Sequence, residues 1–414
     1  PNSVTNISEY AFYYCKNLEN ILIPSSVTTI GSSAISNNSY LEKVTLLATE
    51  PPSISADSFN NTPNNVAFEV PAESVEKYKS ATNWSVFADR IVAIGESREF
   101  SEGLAYTLNS DGASYSVSGN GTCTDHGLHI PSSYEGLPVT NIGNSAFSNF
   151  SSKQHIRLPN TITTIGSSAF ANCAFDTIEI PNSVVEIGSK AFSGNKIASL
   201  LINDITAWCN IEFGDANSVP LLPNSAGVSY LKNSLGEYKP IVNLIVPSEV
   251  TEIKNYAFRN HSNLTTVSFA PDSQCTRVGQ YSFYDTKLTT IEIPNSVTIL
   301  DYNAFGNCKN LTTVTFAPDS QLTTLANLAF YYCNSLESIT LPSSIKNFVS
   351  SPFTNCPLLK EITILATTPP NMSGTGFVNL DDDFKIYVPA ESVDAYKSAT
   401  NWSTYADRIM AIKE

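Results

Sequence analysis

Eight cysteines are the residues of this sequence best suited to chemistry, because cysteines form disulfides and bind metal ions. No C-x-x-C pair occurs, so the usual spacing for zinc binding or dithiol redox chemistry is missing. Five cysteines lie three residues after a recurring phenylalanine, and this fixed position favours small buried core residues over disulfides. These five are Cys15, Cys173, Cys308, Cys333 and Cys356, whereas the roles of Cys123, Cys209 and Cys275 are left open.

Two groups of polar side chains have spacings that could bind a metal ion. His126-x-x-His129 is the only close histidine pair, but Asp125 is its only nearby carboxylate, so we interpret this segment as a solvated loop. The three aspartates at 381–383 could bind calcium, yet calcium takes about six to eight spaced oxygen ligands, which favours a solvated turn. We therefore predict no metal site, and no cofactor either. Since no nucleophile motif or glycine-rich phosphate loop is present, we also predict no catalytic residues and no enzymatic activity.

The composition excludes several classes of partner. The chain has 38 acidic and 23 basic residues, a net charge of −15, and no cluster of Lys or Arg, which disfavours nucleic acid and anionic membranes. No stretch approaches the roughly 18 consecutive apolar residues of a membrane helix, so we expect no membrane insertion. A charged fraction of only 15%, with abundant Asn, Ser and Thr, is typical of secreted β-rich proteins and predicts an extracellular or cell-surface location.

A repeat of about 23 residues accounts for most of the chain. The segment PNSVTNISEYAFYYCKNLENILI at 1–23 is followed directly by PSSVTTIGSSAISNNSYLEKVTL at 24–46, and the pattern P-x-S-V-T-x-I-G-x-x-A-F-x-x-C-x-x-L-x-x-I-x-I continues in later segments. One repeat buries too little apolar surface to fold alone, so we expect the repeats to stack into a solenoid. The first apolar position of ten repeats lies at Val4, Val27, Val139, Ile162, Val184, Val250, Cys275, Val297, Leu322 and Ile345.

Each repeat predicts one strand and one irregular segment. A run such as Leu336-x-x-Ile339-x-Leu341 alternates apolar and polar residues, as a leucine-rich-repeat strand does. The Ala-Phe pair that follows V-T-x-I-G, as at Ala169 and Phe170, is expected to pack a short helical or irregular turn onto the strands. The phenylalanine recurs as a spine at Phe12, Phe147, Phe170, Phe192, Phe258, Phe283, Phe305, Phe330 and Phe353.

Two near-identical segments each follow the last repeat of a run. They are VPAESVEKYKSATNWSVFADRIVAI at 70–94 and VPAESVDAYKSATNWSTYADRIMAI at 388–412. Each is preceded by a Pro-Pro pair, at 51–52 and 369–370, and we expect these pairs to stop the strand ladder because proline cannot donate to it. We interpret each segment as part of a C-terminal cap that closes an apolar end of the stack.

The first cap predicts a strand, a short helix and a final strand. The helix begins at Ala72 and turns Val75 and Tyr78 inward, and the final strand runs from Ile91 to Ile94.

Two caps predict an α/β repeat fold of two leucine-rich-repeat solenoids in tandem. The first module comprises residues 1–96, with its cap at 48–95. Because residue 1 lies inside a repeat, we expect further sequence upstream of it. The second module comprises residues 97–414, with an N-terminal β-hairpin at 103–119 around Asp111-Gly112, an insertion at 203–240 and a C-terminal cap at 366–413.

The consensus P-x-S-V-T-x-I-G-x-x-A-F-x-x-C and the segment YEGLPVTNIG at 134–143 resemble the BspA-like leucine-rich-repeat family of cell-surface proteins, over nearly the whole chain. Ile35 and Asp301 depart from the Phe and Gly positions of that family, which concerns local packing only. The resemblance implies an exported surface protein that binds a macromolecule, a protein or a glycan of the host extracellular matrix, in adhesion or recognition. It implies no catalytic or ligand residues that could be carried over.

Two other functions compete with binding. The first is a structural spacer or presentation stalk for a neighbouring domain, and the more distant one is an enzyme accessory domain. In each case we expect a monomer whose signal and anchor regions lie outside this sequence. Adhesive or catalytic sequence next to the chain would favour the spacer, whereas many further repeats would favour the binder.

The outward strand positions and the insertion supply the candidate binding residues. The outward strand residues are small and polar and include no aromatic anchor, so β-propensity alone also explains them. Trp208 and Phe213 are predicted to lie outside the repeat frame, either as a recognition loop or as packing of the insertion onto the solenoid. The candidate binding residues are Trp208, Phe213, Thr266, Thr290, Glu292, Thr313, Thr315 and Thr340.

Overall fold

A computed structural model of the chain describes residues 3–15, 18–63, 66–95, 100–123, 128–150, 156–221, 227–381 and 383–412. Asp125, His126 and Asp382 lie outside these described residues. The chain divides into two compact units, and the predicted module boundary at residue 96 stays a prediction. The first unit holds residues 1–105, 120–131 and 151–158, and the second holds residues 106–119, 132–150 and 159–414.

The first unit consists mainly of parallel strands. They are β1 (Asn6–Ile7), β2 (Asn20–Ile23), β3 (Thr29–Ile30), β4 (Lys43–Leu46), β5 (Ser53–Ile54), β6 (Ala67–Val70) and β7 (Ile91–Ala93). They form two sheets, with the strand orders β1-β3-β5 and β2-β4-β6-β7. Helix α1 (Val75–Ser80) and the 3-10 helices Ala72–Ser74 and Ser85–Arg90 lie between β6 and β7.

The chain continues with β8 (Ala105–Leu108), β9 (Tyr115–Gly119), β10 (Leu128–His129), β11 (Ser133–Tyr134), β12 (Leu137–Ile142), β13 (Ile156–Arg157), β14 (Thr164–Ile165), β15 (Thr177–Ile180), β16 (Glu186–Ile187), β17 (Ser199–Ile202), α2 (Ile205–Cys209), β18 (Glu212–Phe213), β19 (Val228–Lys232) and β20 (Tyr238–Pro240). Strands β10 and β13 belong to the first unit and pair in parallel. In the second unit, β8 and β9 are neighbours around the predicted Asp111-Gly112 turn, and β9 continues into the order β9-β12-β14-β16-β18.

The rest of the second unit comprises β21 (Asn243–Val246), β22 (Glu252–Ile253), β23 (Thr266–Phe269), β24 (Arg277–Val278), β25 (Thr290–Ile293), β26 (Ile299–Leu300), β27 (Thr313–Phe316), β28 (Thr324–Leu325), β29 (Ser338–Leu341), β30 (Asn347–Val349), β31 (Glu361–Ile364), β32 (Asn371–Ser373), β33 (Lys385–Val388), α3 (Val393–Ser398) and β34 (Ile409–Ala411). The 3-10 helices Ala390–Ser392 and Ser403–Arg408 flank α3. Four-residue strands form the order β21-β23-β25-β27 and, together with the three-residue β34, the order β29-β31-β33-β34; strands of two or three residues form β22-β24-β26-β28-β30-β32.

Each repeat forms one turn of a parallel β-solenoid, so the predicted fold class is confirmed. The predicted alternation is present in β29, where Ile339 and Leu341 are buried while Ser338 and Thr340 are exposed. The prediction of a single strand per repeat is wrong, because the T-x-I segment before the glycine also pairs with both neighbouring turns, as β14 does. A strand of two residues is too short to show an alternation in the sequence.

The consensus serine and threonine have a structural role between turns. Ser296 Oγ donates to the carbonyl oxygen of Cys275 at 2.8 Å, and Thr298 Oγ1 donates to that of Thr276 at 3.0 Å. Both acceptors belong to the preceding turn, so these bonds reinforce the backbone ladder. The same serine or threonine contact recurs at Ser26, Thr161, Ser183 and Ser344.

The segment after each glycine is an irregular turn with a fixed backbone path, not a helix. In one repeat, Tyr281 and Asp285 have left-handed φ angles of 55° and 60°. The N–H groups of Tyr281 and Phe283 donate to the carbonyls of Tyr302 and Ala304 in the next turn, both at 2.9 Å. The N–H groups between them close short turns within their own repeat. Outward side chains of successive turns therefore lie side by side.

The predicted phenylalanine spine is confirmed as a buried column. Phe283 and Phe305 stack at 5.5 Å between ring centroids with an angle of 1° between planes, and Phe147 and Phe170 stack at 5.6 Å and 3°. Every spine phenylalanine from Phe147 onward is buried. Phe12, in the first described repeat, is only partly buried.

The cysteine position is a hydrogen-bond donor to the spine. The thiols of Cys333 and Cys356 donate to the carbonyl of the spine phenylalanine one turn earlier, at 3.3 and 3.0 Å. Asn38 and Asn195, which replace the cysteine, donate their amide groups in the same way, both at 2.8 Å. Cys15, Cys173, Cys209, Cys275, Cys308, Cys333 and Cys356 are free thiols. The predicted burial is confirmed for Cys173, Cys308, Cys333 and Cys356, and it is wrong for Cys15, which is half-buried at the edge of the first unit's stack.

The insertion at 203–240 is a further turn of the solenoid, so the prediction that it breaks the repeat frame is wrong. Strand β18 pairs in parallel with β16, which sets Phe213 opposite Ile187. Strand β19 pairs in parallel with β17 and turns back into β20 as an antiparallel hairpin. The sequence conceals this turn because helix α2 replaces the usual P-x-S-V-T lead-in, and only the I-E-F-G at 211–214 keeps the consensus.

The duplicated segments bind the last turn of each run through side chains. Trp84 Nε1 donates to the Pro52 carbonyl at 2.7 Å, and Trp402 Nε1 donates to that of Pro370 at 2.8 Å. Tyr78 is buried as predicted, whereas Val75 is half-buried. These contacts support the cap interpretation. The Pro-Pro pairs do not stop the ladder, because β5 begins directly after the first pair and joins β3, and a proline carbonyl still accepts hydrogen bonds.

Candidate functional site

The strand-face residues predicted to bind a partner lie in register on one face of the second unit. Thr266, Thr290 and Thr313 occupy equivalent positions of three successive strands, and Glu292 lies beside Thr315. Thr290, Glu292, Thr313 and Thr315 are exposed. Thr266 is half-buried and donates to Asn243 Oδ1 at 2.6 Å. Thr340, also exposed, pairs with Thr363 farther along the stack. Their side chains make a regular polar face.

Trp208 and Phe213, the other predicted binding residues, lie in the core. Trp208 is 2% exposed and donates from Nε1 to the carbonyl of Ala257 at 2.7 Å. Phe213 is 7% exposed and lies 5.5 Å from the Trp208 ring. A binding role for the two rings stays a prediction, but in this structure they pack the extra turn onto the solenoid. This is the alternative that the sequence left open.

Aromatic side chains cluster instead on the irregular-turn side of the second unit. We call this cluster the tyrosine surface; it consists of Tyr256, Arg259, Tyr281, Tyr284 and Tyr302. The rings of Tyr256 and Tyr281 stack at 5.6 Å with 9° between planes. Tyr281 also makes edge contacts with Tyr284 and Tyr302, both at 5.2 Å. All five side chains are half-buried, so each packs against its neighbours and still reaches solvent.

The turn geometry explains why these residues meet. In Y-A-F-R at 256–259 and Y-S-F-Y at 281–284, the buried spine phenylalanine lies between two outward residues. The hydrogen bonds between turns, such as Tyr256 N to the Gln280 carbonyl at 2.8 Å, then place one outward pair beside the next. Gly306, one turn later, adds room, since a Cβ there would lie 2.8 Å from Cδ2 of Tyr284.

Two of these tyrosines are held in an unfavourable backbone conformation. Tyr256 and Tyr281 have φ angles of 67° and 55°, in the left-handed region that bulky residues avoid at a cost of roughly 1–2 kcal/mol. Other repeats have Ser33, Ser145, Ser168 or Asn303 at this position, while Lys190 and Leu328 share the left-handed backbone. The turn therefore accepts bulky side chains, although small polar residues fit it with less strain.

Arg259 lies against the aromatic rings of the surface. Its guanidinium carbon is 4.4 Å from the centroid of Tyr284 and 5.1 Å from that of Tyr281, within cation–π range. A tyrosine hydroxyl is protonated at neutral pH and can donate a hydrogen bond, and burial raises the pKa of Tyr256, Tyr281 and Tyr284 further above neutrality. The surface therefore combines aromatic faces, hydroxyl groups and one cation, which suits recognition of another molecule.

Sequence reasoning missed the tyrosine surface because it searched the strand face for aromatic anchors. The available signal was Y-x-F followed by Arg or Tyr, which occurs at 256–259 and 281–284 and again as Y-A-F-Y at 10–13 in the first unit. In that repeat Tyr10 and Tyr13 are 56% and 46% exposed. The tyrosines and Arg259 flank the consensus Ala-Phe pair, at positions whose residue type varies between repeats. The consensus therefore gave no indication of them.

The solvated-loop interpretation is wrong for His129, because the residue lies in strand β10 and pairs with Arg157 of β13. Its half-buried side chain places Nε2 3.2 Å from Glu42 Oε1 within the first unit. Asp381 Oδ1 accepts the Asp383 N–H at 2.8 Å. In the part of the chain that the structure describes, no group of three or more His, Cys, Asp or Glu side chains could hold a metal ion. None of the described helices is long and apolar enough to span a membrane.

Residues 1–84, 140–265 and 229–360 match the family described as BspA type leucine rich repeat region, in six copies. Curated proteins give no match. Among solved structures, a leucine rich cell surface protein from Faecalibacterium prausnitzii is 22% identical, with 99% of this chain and 84% of that chain covered and a TM-score of 0.34. The pneumococcal vaccine antigen PcpA is 17% identical, with 76% and 98% covered and a TM-score of 0.39. Only the family match carries an inference.

Proposed function

The chain belongs to the BspA-type leucine-rich-repeat family, and from this premise we propose that it is a non-catalytic cell-surface or secreted protein that binds a macromolecule. Its role is adhesion or recognition, and its partner is a protein or a glycan, with host extracellular matrix as the expected setting. The observation that carries the proposal is the tyrosine surface of the second unit.

Three properties of the tyrosine surface support binding. Tyrosine and arginine are the residue types that contribute most to interaction hot spots. Tyr256 and Tyr281 keep a strained backbone that serine or asparagine occupies in several other repeats, so the fold does not require tyrosine there. Tyr284 and Arg259 are ordered by contact with each other, which lowers the entropy that binding would otherwise cost.

The threonine strand face is the second candidate surface. Its exposed residues, such as Thr290 and Thr313, stand at regular spacing and could accept a flat ligand. It has no aromatic anchor among the predicted residues, so we rank it below the tyrosine surface. A spacer role, the alternative function, requires neither surface.

The test compares the two surfaces in the full chain. Binding to laminin, type I collagen and a glycan array is measured by surface plasmon resonance for wild type, Tyr281→Ser and Tyr284→Ala, with Thr290→Ala and Thr313→Ala as matched controls. Serine at 281 suits the left-handed backbone, as Ser33 and Ser168 show, so the fold should be kept.

We expect the tyrosine variants to bind at least about tenfold more weakly while the threonine variants bind as wild type does. Loss of binding only in the threonine variants would move the site to the strand face. Binding that no variant changes would place the site outside both surfaces, and no binding to any of these probes would favour the spacer.

A further inference from the structure

Arg259 is the one charged member of the tyrosine surface, and its guanidinium lacks a counter-ion among the described residues. Its Nε is buried and has no hydrogen-bond partner. Its contacts are the ring faces of Tyr284 and Tyr281. A guanidinium carries five N–H donors in a planar fork, so ring faces alone leave most of its bonding capacity unused.

Arg277 shows how a structural arginine is bound in the same solenoid. Its Nε donates to Asp301 Oδ2 at 3.0 Å, its Nη2 donates to Asn255 Oδ1 at 3.0 Å, and its Nη1 pairs with Glu252. Arg277 and Arg259 are both half-buried. The clearest difference between the two residues therefore lies in their partners.

Burial is the main cause that lowers the pKa of Arg259. A cation that has lost hydration without gaining a carboxylate is unfavourable, and cation–π contact offsets only part of the loss. The carboxylate of Asp285 raises this pKa from a distance. Asp285 is itself engaged, since its Oδ1 accepts a hydrogen bond from Asn307 Nδ2 at 2.6 Å.

We propose that Arg259 recognises a single carboxylate, carried by a glutamate or aspartate side chain of a protein partner, while Tyr281 and Tyr284 contact the residues around it. The inference rests on the proposed function and names the chemistry that the tyrosine surface selects. Guanidinium and carboxylate are both planar and pair through two parallel hydrogen bonds. The rings fix the plane of the guanidinium before the partner arrives, which favours this geometry.

The surrounding charges favour one carboxylate over a polyanion. The carboxylate of Asp285 already acts on Arg259, while Glu252, on the same turn, and Asp301 are paired with Arg277. The chain as a whole carries a net charge of −15. A sulfated or polyuronic glycan would bring many anions into this negative field, whereas a protein segment can present one carboxylate among apolar groups.

The test uses the full chain and short fluorescent peptides in matched pairs. Each pair has Glu or Gln at its centre, with aromatic, proline, aliphatic or polar flanks, and dissociation constants are measured by fluorescence polarisation at neutral pH. The variants are Arg259→Met, Arg259→Lys, Tyr284→Ala and, as a control at an exposed cation outside both candidate surfaces, Lys196→Met. Retention on immobilised heparin and polygalacturonate is measured for the same proteins.

For wild type we expect the best Glu peptides to bind at least about tenfold more tightly than their Gln counterparts, because a bidentate charge-assisted pair is lost in the latter. Arg259→Met should reduce this ratio to about one. Arg259→Lys should give an intermediate ratio, since lysine keeps the charge but not the planar fork. Lys196→Met should leave the ratio unchanged.

Equal binding of Glu and Gln peptides to wild type, including no binding of either, overturns the inference, as does a ratio that Arg259→Met leaves intact. Retention on heparin or polygalacturonate that Arg259→Met abolishes, without a Glu preference among peptides, also overturns it and assigns the site to an acidic glycan. If Tyr284→Ala weakens binding but the Arg259 variants do not, the tyrosine surface stands and only the carboxylate inference fails. If Arg259→Met does not fold, the test uses Arg259→Lys instead, and a Glu-to-Gln binding ratio equal to that of wild type overturns the inference.

Discussion

At the scale of single residues, the side chain three positions after a spine phenylalanine joins two turns, because it donates a hydrogen bond to the carbonyl of the preceding spine phenylalanine. Cys333 donates to the carbonyl of Phe305, and Asn195 donates to that of Phe170. A thiol and an amide can thus exchange at this position because both supply a hydrogen-bond donor. The sequence indicated only a small buried residue at this position. The structure shows that the residue also supplies a hydrogen bond between turns.

This view predicts the order of two substitutions at Cys333. Serine keeps a donor for the Phe305 carbonyl, whereas alanine leaves that acceptor with only the weaker bond from its own turn. We expect Cys333→Ser to have a free energy of unfolding about 1 kcal/mol higher than that of Cys333→Ala. Urea denaturation followed by circular dichroism measures the difference. If the alanine variant were the more stable of the two, the site would be purely apolar.

The buried thiols also predict a loss of stability at alkaline pH. Burial raises the pKa of Cys308 and Cys356 to about 12, from an ordinary value of 9.0. Above that ordinary value the unfolded thiols lose their protons while the folded ones keep them. Their contribution is therefore complete below about pH 9 and is lost as the pH rises towards 12, at up to about 1.4 kcal/mol per pH unit for each thiol.

Denaturation at pH values from neutral to 11 tests this slope, because that range reaches the lower part of the predicted window. The variant Cys308→Ala with Cys356→Ala serves as the control, since it lacks two of the titrating groups while the buried tyrosines remain. We expect its stability to fall less steeply with pH than that of wild type. Parallel slopes would show that the thiols do not contribute.

The burial of inward-facing residues could be predicted from the sequence, because the same residue type recurs at the same position of many repeats. The spine and the cysteine position each recur at one place in the frame, so their burial could be predicted. The outward residues of the tyrosine surface could not, because Tyr256, Arg259 and Tyr284 stand at positions that differ from repeat to repeat. Only the left-handed backbone brings them together.

At the scale of elements, the duplicated phrase N-W-S-x-x-A-D-R-I supplies donors to the last turn of each run. Asn83 donates to the Ile54 carbonyl at 2.7 Å, and Asn401 donates to that of Met372 at 2.6 Å. Arg90 and Arg408 donate to further carbonyls in the same way, both at 3.1 Å. These acceptors would otherwise require another turn, which explains why the phrase occurs twice.

The asparagine of this phrase also adopts a left-handed backbone, and this second role predicts the order of stability of two variants. Asn401 has a φ of 68°, in the left-handed region that glycine and asparagine tolerate better than alanine. Both Asn401→Gly and Asn401→Ala lose the hydrogen bond to Met372, but only alanine also incurs the backbone strain. We therefore expect the order wild type, glycine, alanine, with about 1 kcal/mol between the two variants.

Thermal unfolding of the two Asn401 variants measures this ranking, and the equivalent changes at Asn83, with a φ of 63°, serve as a replicate in the first unit. An alanine variant as stable as the glycine variant would show that the backbone is free to relax, and the second role would then be wrong.

The elements that the sequence did not predict share a physical cause. The two-residue strands, such as β28, are strands only because both neighbouring turns pair with them, so their cause lies outside the segment. The turn built from 203–240 keeps I-E-F-G but replaces the lead-in with helix α2, which hides it from a search by consensus. By contrast, the long strands and the capping segments carry local signals and were predicted.

At the scale of the whole molecule, a solenoid assigns stability and binding to different residues: interior residues stabilise the stack, and outward residues are free to bind. The strands and the spine fill the interior, and the serine and threonine ladders join the turns, so substitutions of outward residues on the irregular turns leave the stack intact. The tyrosine surface spans the turns of Tyr256, Tyr281 and Tyr302. A binding surface of this kind grows by adding outward residues to adjacent repeats, with no change to the core.

The last prediction concerns the division of the chain into two modules, which the caps and the hairpin around Asp111-Gly112 suggested. Because repeats interact mainly with their neighbours, a capped run should fold without the other run. We expect the fragment 98–414 to show β-rich circular dichroism and a cooperative transition, and limited proteolysis of the full chain to cut near 95–102. The fragment 98–387, which lacks the final capping segment, is the matched control and should be less stable and prone to aggregation, since it leaves apolar edges open. An unfolded 98–414 fragment would show that the two runs need one another, and equal stability of both fragments would remove the capping role from 388–412.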